Sequence, residues 1–396
     1  MDKVYLKPRE EERIRLGHPW VFDNEIGRYQ GDCPSGSACE VLTKSGSYLG
    51  TGIINRASKI TIRIFSRERG EALDASFIDR RIERAIGLRA ALYPATESVR
   101  LVFAESDLLP GFICDRFVAV DGKVYLACQF LTLGAETFKD DIVSSLLVRM
   151  GASGIFERSD VRVRELEGLE QKTGWLSGSG PDSVVIRENG IELSVDIAHG
   201  QKTGYFLDQK HNRALVASLS SGKRVLDTFT HTGAFGLNAW KGGASEVECV
   251  DISEEAVANV RANIALNGAD SLVSAKAVDA FDLLKEYDRA GRTFDLVILD
   301  PPAFTKSAKM IDKAYGGYKE INLRAMKILE RGGYLVTCSC SHFFGAEHFY
   351  RMLQNAARDS GRTLQILGKY GPGPDHPSLV GYPESEYLKC LALRVW

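Results

Sequence analysis

The stretch Val225-Leu226-Asp227-Thr228-Phe229-Thr230-His231-Thr232-Gly233-Ala234-Phe235-Gly236 decides the fold. A short apolar strand over Arg224 to Asp227 gives way to a helix that runs through Trp240 and stops at Gly242-Gly243. Between them, Gly233 and Gly236 give the turn the freedom to bring backbone N–H groups close to a ligand. The same rhythm continues outward. Strand Glu246–Val250 precedes helix Glu254–Leu266, whose acids Glu254 and Glu255 sit in the first turn, where the helix dipole favours them. Val257, Val260 and Ile264 form its apolar stripe, and Gly268 stops it. Strand Val273–Val278, helix Phe281–Arg289, strand Phe294–Leu299, helix Gly317–Leu329, strand Gly333–Thr337 and helix Ala346–Arg358 follow, then strands Thr363–Leu367 and Tyr387–Val395. From about residue 190 this alternation predicts a Rossmann-like α/β domain, a mostly parallel sheet with helices on both faces.

Open α/β sheets bind ligands outside the carboxyl ends of their strands. Three acids fall there: Asp227, Asp251 (24 residues later) and Asp279. The turn lacks the Gly-x-Gly-x-x-Gly pattern that cradles a diphosphate, which argues against a dinucleotide-dependent oxidoreductase. A sulfonium nucleoside carries no phosphate and needs an acid for its amino group. The expected cofactor is therefore S-adenosyl-L-methionine, with Asp227 facing the amino group and Asp251 and Ile252 the ribose. Asp279 would accept from the adenine amine, with Ala280 beside the ring, and Phe229, Thr230, Gly233 and Phe235 would line the turn. For each acid the plain alternative is a helix N-cap.

The second half adds two features at the same edge. In Asp300-Pro301-Pro302-Ala303-Phe304, two prolines fix φ and remove two donors, so the carboxylate sits before a stiff loop. The next strand ends in Thr337-Cys338-Ser339-Cys340-Ser341-His342, which places Cys340 beside Asp300 if consecutive strands are neighbours. A thiolate there can attack an activated ring. Cys338 is expected inside the strand as a core residue, and His342 as a loop residue.

The rest of the chain sets the context. Residues 1–70 read as short strands (Val4–Leu6, 38–42, 48–54, 60–65) punctuated by glycine and proline, a small β-barrel. Residues 71–189 read as a central α+β domain with helices at Phe77–Leu92 and near Thr137–Met150, and 190–396 as the cofactor domain. Net charge over all 396 residues is −2, while residues 1–70 carry +3, a weak basic excess. Lys7, Arg9, Arg13, Arg15 and His18 are candidates for phosphate contact. Phe304, Tyr315 and Tyr318 are candidates for stacking on an unstacked base. The eight cysteines contain no Cys-x-x-Cys pair, so no metal is expected. The N-terminus shows no secretory pattern and no apolar run reaches membrane-spanning length, so a cytoplasmic protein with free thiols is expected.

Thr203-Gly204-Tyr205-Phe206-Leu207-Asp208-Gln209, Asp300-Pro301-Pro302-Ala303-Phe304, Cys338-Ser339-Cys340-Ser341 and Tyr382-Pro383-Glu384 resemble the bacterial RlmI-type 23S ribosomal RNA (cytosine-5)-methyltransferases. Leu6-Lys7-Pro8-Arg9 with Gly17-His18-Pro19-Trp20-Val21-Phe22 is similar to that family's RNA-binding PUA domain, and Glu105 to Phe112 to its central domain. The resemblance implies a seven-stranded class I methyltransferase domain behind a PUA barrel. It implies methylation of a cytidine at C5 in 23S ribosomal RNA, free or in an assembling large subunit, by a possible homodimer. Cys340 would be the nucleophile on C6, Asp300 would hold the cytosine edge, and Phe206, Asp208 and Arg213 would close over the cofactor. Ala303 departs from the pattern of other RNA cytosine-5 methyltransferases, which carry a second cysteine there, and Cys338 or water is left to take the C5 proton. The competing readings are methylation of guanine or another RNA base, a non-catalytic rRNA-binding assembly factor, and a small-molecule methyltransferase.

Overall fold

A computed structural model describes residues 1–305 and 308–396. By contact the chain divides into two compact units. The first comprises Met1–Val184, Val195–Leu207 and Pro374–Ser385, and the second Val185–Ser194, Asp208–Gly373 and Glu386–Trp396.

In the first unit, strands Asp2–Leu6, Trp20–Val21, Ile26–Gln30, Ala38–Leu42, Tyr48–Ile54 and Ile62–Ser66 form a six-stranded sheet. The alternation of Ile62 and Ile64 with Arg63 predicts one wet face, yet all five residues of that strand are buried. Arg63 tolerates this because it pairs with Glu167 at 2.9 Å and Glu105 at 3.6 Å. A five-stranded sheet follows, flanked by helices Ala75–Leu92 and Lys139–Met150. The helix stripe of Ile78 and Ile82 is fully buried. One apolar cluster takes Ile53 and Phe65 from the first sheet together with Phe77, Phe112 and Phe130. The two sheets lie in one contact unit.

The second unit is built on a seven-stranded sheet. Its strands are β1 (Arg224–Thr228), β2 (Glu246–Asp251), β3 (Val273–Ala277), β4 (Phe294–Leu299), β5 (Leu329–Ser339), β6 (Leu364–Tyr370) and β7 (Lys389–Val395). Their order across the sheet is β3-β2-β1-β4-β5-β7-β6. The first five are parallel, and β7 runs antiparallel to both β5 and β6. Leu226, Val250, Val297, Leu299 and Leu335 of this sheet are each 2 % exposed or less, as strands covered on both faces require. The strand order reverses between β1 and β4, so the carboxyl ends of these two strands form the crevice where ligands collect. Among the described residues, no helix is long and apolar enough to cross a membrane.

Several elements were missed in the sequence, strands Val99–Phe103, Gly154–Ser159 and Lys172–Gly178 among them. Ser183–Glu188 and Ile191–Asp196 form a hairpin closed by Asn189 and Gly190, both at positive φ (51° and 79°). Asn-Gly is the strongest short hairpin signal. Helix Lys210–Leu219 was also passed over.

Candidate active site

The turn after β1 is wound tightly. Phe229, His231 and Gly233 have φ of 60°, 54° and 79°. Thr230 N–H donates to the Val250 carbonyl at 3.0 Å, and Thr228 Oγ1 donates to the Ile298 carbonyl at 2.8 Å. The turn is thereby stapled to β2 and β4. Gly233 supplies the left-handed residue at the start of helix Ala234–Lys241. Gly236 does something different from what the sequence suggested. Its backbone is not left-handed; an added Cβ would lie 2.3 Å from Cys249 Sγ, so glycine is required for helix-to-sheet packing. Phe235 lies buried in the same helix.

The three acids separate into different roles. Asp227 is fully buried: Oδ2 accepts from Thr230 Oγ1 at 2.5 Å and from Gly236 N–H at 2.9 Å, while Oδ1 is buried with no hydrogen-bond partner. Burial, with Asp300 and Asp251 adding like charge, pushes its pKa up to about 7. Asp251 spends Oδ2 on His231 N–H (3.0 Å) and Oδ1 on Ser253 N–H (3.1 Å), while Ser253, not Asp251, caps the following helix. Ile252 beside it is 69 % exposed, unusual for a large apolar side chain at a strand end. Asp279 is the N-cap of helix Ala280–Ala290, accepting from Phe281 and Asp282. Ala280 is buried. The capping alternative thus holds for Asp279 alone.

At the end of β4, register places Leu299 opposite Thr337 of β5. Cys340 emerges past the end of β5, and its Sγ lies 3.9 Å from the carbonyl of Pro301, the residue after Asp300. Seven of the eight thiols are buried, and Cys340 is the exception. The hydroxyl of buried Tyr318 lies 3.0 Å from Ser339 Oγ and 2.8 Å from Ser341 Oγ, clamping the backbone on both sides of Cys340. Cys338 sits opposite Cys390 in the sheet interior, and the neighbouring thiol and burial push its pKa well up. Its full burial counts against it as the group that takes a proton from substrate. His342 is exposed, as a loop residue should be.

Gln209 was passed over in the sequence. Its Nε2 donates to Asp300 Oδ1 at 2.9 Å, and its Oε1 accepts from Asn212 at 2.6 Å. It sits in the Leu207-Asp208-Gln209 motif, which was the available signal.

Family profiles match two parts of the chain: a PUA-like domain at residues 4–67 and an S-adenosylmethionine-dependent methyltransferase at 162–392. The ribosomal RNA large subunit methyltransferase I of Shewanella denitrificans is 41% identical over 100% of this chain and 99% of its own length. That of Photobacterium profundum is 42% identical over 99% of each. The chain belongs to the ribosomal RNA large subunit methyltransferase I family. A solved methyltransferase complexed with SAH has the same fold, with a TM-score of 0.85 over 100% of both chains at 21% identity. A second structure, from Streptococcus mutans, gives a TM-score of 0.83 at the same identity and coverage. S-adenosylmethionine is thus the cofactor of this methyltransferase, and the buried Asp227 oxygen and the exposed Ile252 fit it: one needs a donor, the other an apolar cover.

The remaining expected site residues make other contacts as well. Arg213 lies over the ring of Phe235 in the helix after the turn, 5.9 Å from its centroid. It is buried and makes a bidentate pair with Glu188 of the hairpin, at 2.6 and 2.9 Å. Asp208 accepts from the Tyr387 hydroxyl at 2.5 Å. Phe206 belongs to the first unit, where Lys202 Nζ lies 4.6 Å from its ring centroid. Phe304 packs on Tyr318 with the rings tilted by 42° (4.5 Å between centroids) and is partly exposed, whereas Tyr318 is core. Tyr315 is partly buried, with its hydroxyl accepting from Asn355.

In the first unit, Arg9 and Arg15 are exposed, and exposed Lys7 donates to the Asn24 carbonyl at 2.7 Å. His18 is not available for phosphate. It is 2 % exposed, enclosed by Arg13, Trp20 and Glu384, and burial lowers its pKa. Arg13 is committed to Glu25 at 2.7 Å.

Proposed function

We propose that this protein methylates C5 of a cytidine in large-subunit (23S) ribosomal RNA through a Cys340 adduct at C6. The observation that carries the reading is the only thiol outside the core, lying 3.9 Å from the backbone of the Asp300-Pro301-Pro302 loop at the cofactor edge of the sheet. The names of the full-length relatives support ribosomal RNA as the substrate class. Lys7, Arg9 and Arg15 supply phosphate contacts, and Phe304 offers a face to the unstacked base.

The residues act in sequence. Cys340 thiolate adds its electron pair to C6, and the displaced ring electrons make C5 nucleophilic. Asp300, oriented by Gln209, bonds the cytosine edge and favours the adduct. Asp227 takes the cofactor's amino group and Asp251 its ribose. When bound, S-adenosylmethionine supplies a methyl carbon electrophilic enough for C5 to attack. The C5 proton then passes to water, since Cys338 is sealed in the sheet, and the returning electrons expel the Cys340 thiolate.

Nucleoside mass spectrometry of ribosomal RNA from a deletion strain, complemented with native or Cys340→Ala protein, tests this. The expected outcome is that 5-methylcytidine returns with the native chain only, while the variant still binds S-adenosylmethionine. Full restoration by Cys340→Ala, or a missing methylguanosine in its place, overturns it.

A further inference from the structure

Lys389 opens β7 directly opposite Ser339 of β5. Its Nζ donates to the carbonyl of Ser341 at 2.7 Å and to that of Tyr387 at 2.8 Å. Both acceptors are neutral, and Ser341 is the residue after Cys340. A half-buried ammonium normally meets a carboxylate, because desolvating a charge is costly. Here no carboxylate among the described residues forms an ion pair with Lys389; the one ionisable neighbour that favours its charge is Cys340. Burial pulls the lysine pKa down to about 8, so the side chain is still mainly cationic at neutral pH.

The other titratable groups at this edge are already engaged. Cys338 and Cys390 face each other in the interior, Asp300 is held by Gln209, and Asp208 accepts from Tyr387. The Tyr318 clamp and the two carbonyl bonds fix nucleophile and cation on one short piece of backbone.

We propose that Lys389 is a positioning residue that keeps the Cys340 sulfur in its thiolate form, its ammonium held by two backbone carbonyls, one of them that of Ser341, the residue after Cys340. The inference rests on the reading of Cys340 as the nucleophile. The thiol proton leaves to solvent and no redox partner is needed. A nearby opposite charge lowers a thiol pKa, and each unit of lowering is about a tenfold change in thiolate fraction below the ordinary thiol range.

The test is the alkylation rate of Cys340 by iodoacetamide on the full chain, followed by peptide mass spectrometry from about pH 6 to about pH 10. Native protein should react with a midpoint at least one unit below an ordinary thiol. Lys389→Met should be about tenfold slower near pH 6.5 and converge with native near pH 10, while Lys389→Arg should keep the low midpoint. Calorimetric binding of S-adenosylmethionine confirms that each variant retains its pocket. An ordinary midpoint in the native protein overturns the proposal without any variant, and so does unchanged alkylation in a cofactor-binding Lys389→Met. A Cys340→Ala protein that still methylates would sink the nucleophile assignment instead, leaving the alkylation profile to judge Lys389 on its own.

Discussion

Asp227 should make cofactor affinity climb with pH in a range where most proteins are indifferent. Its carboxyl is fully buried, has one oxygen without a donor, and is pushed up to about pKa 7. A cationic amino group selects the ionised form. Apparent affinity therefore scales with the ionised fraction, which is about one part in a hundred at pH 5 and more than half by pH 7.5. Binding of S-adenosylmethionine should tighten by close to two orders of magnitude over that interval, with about one proton released per binding event at the acid end. Asp227→Asn should bind weakly and without this slope. The free protein should show the opposite trend in stability. The folded-state pKa lies above the ordinary aspartate value of 3.8. The associated stability is full below about pH 4 and is lost as pH rises through about 7, amounting to roughly 4 kcal/mol for a shift near three units. Isothermal titration calorimetry in buffers of different ionisation enthalpy reads the first effect, and urea midpoints read the second. A native affinity that is flat from pH 5 to 7.5, with no proton release, would refute the assignment of Asp227 to the amino group.

Other outcomes follow from the packing. Gly236→Ala should lower stability by about 1–3 kcal/mol in urea titrations, because the new methyl meets Cys249 Sγ at 2.3 Å. Arg213→Met should cost about 3–5 kcal/mol by leaving Glu188 buried and charged, and a second change of Glu188→Met should recover much of that loss. Tyr318→Phe should leave the hydroxyls of Ser339 and Ser341 without their shared partner, costing about 1–3 kcal/mol and lowering kcat more than cofactor affinity. Arg9→Ala and Arg15→Ala should weaken binding to ribosomal RNA fragments and each reduce the slope of log affinity on log salt by about 1, whereas His18→Gln should not change that slope.

The sheet, and the edge at which its strands end, were legible because they rest on periodicity and on strand-end chemistry, both local in sequence. Asp227, Asp251, Asp300 and Cys340 all fall where strands β1, β2, β4 and β5 deliver their ends. What escaped was long-range. Nothing near Arg213 announces that Glu188 will meet it, and nothing in Gly-His-Pro-Trp shows that His18 will be enclosed by Glu384, 366 residues away. Helix Ile311–Ile328 begins earlier than the expected start at Gly317. Instead Gly317 lets Phe304 approach, its missing Cβ lying 3.2 Å from that ring. Asp279 shows the limit of a strand-end rule: capping and ligand binding use the same residue type at the same place.

Strand β7 follows β6 in the chain yet lies between β6 and β5. Until it arrives, β6 has no neighbour in the sheet and β5 has a bare edge. On this side β6 can join the sheet only through β7, either after β7 has docked on β5 or together with it. Such non-local assembly is slow. The residue that opens β7 is Lys389, so the amine proposed to act on Cys340 reaches this edge only when the last strand of the chain is in place.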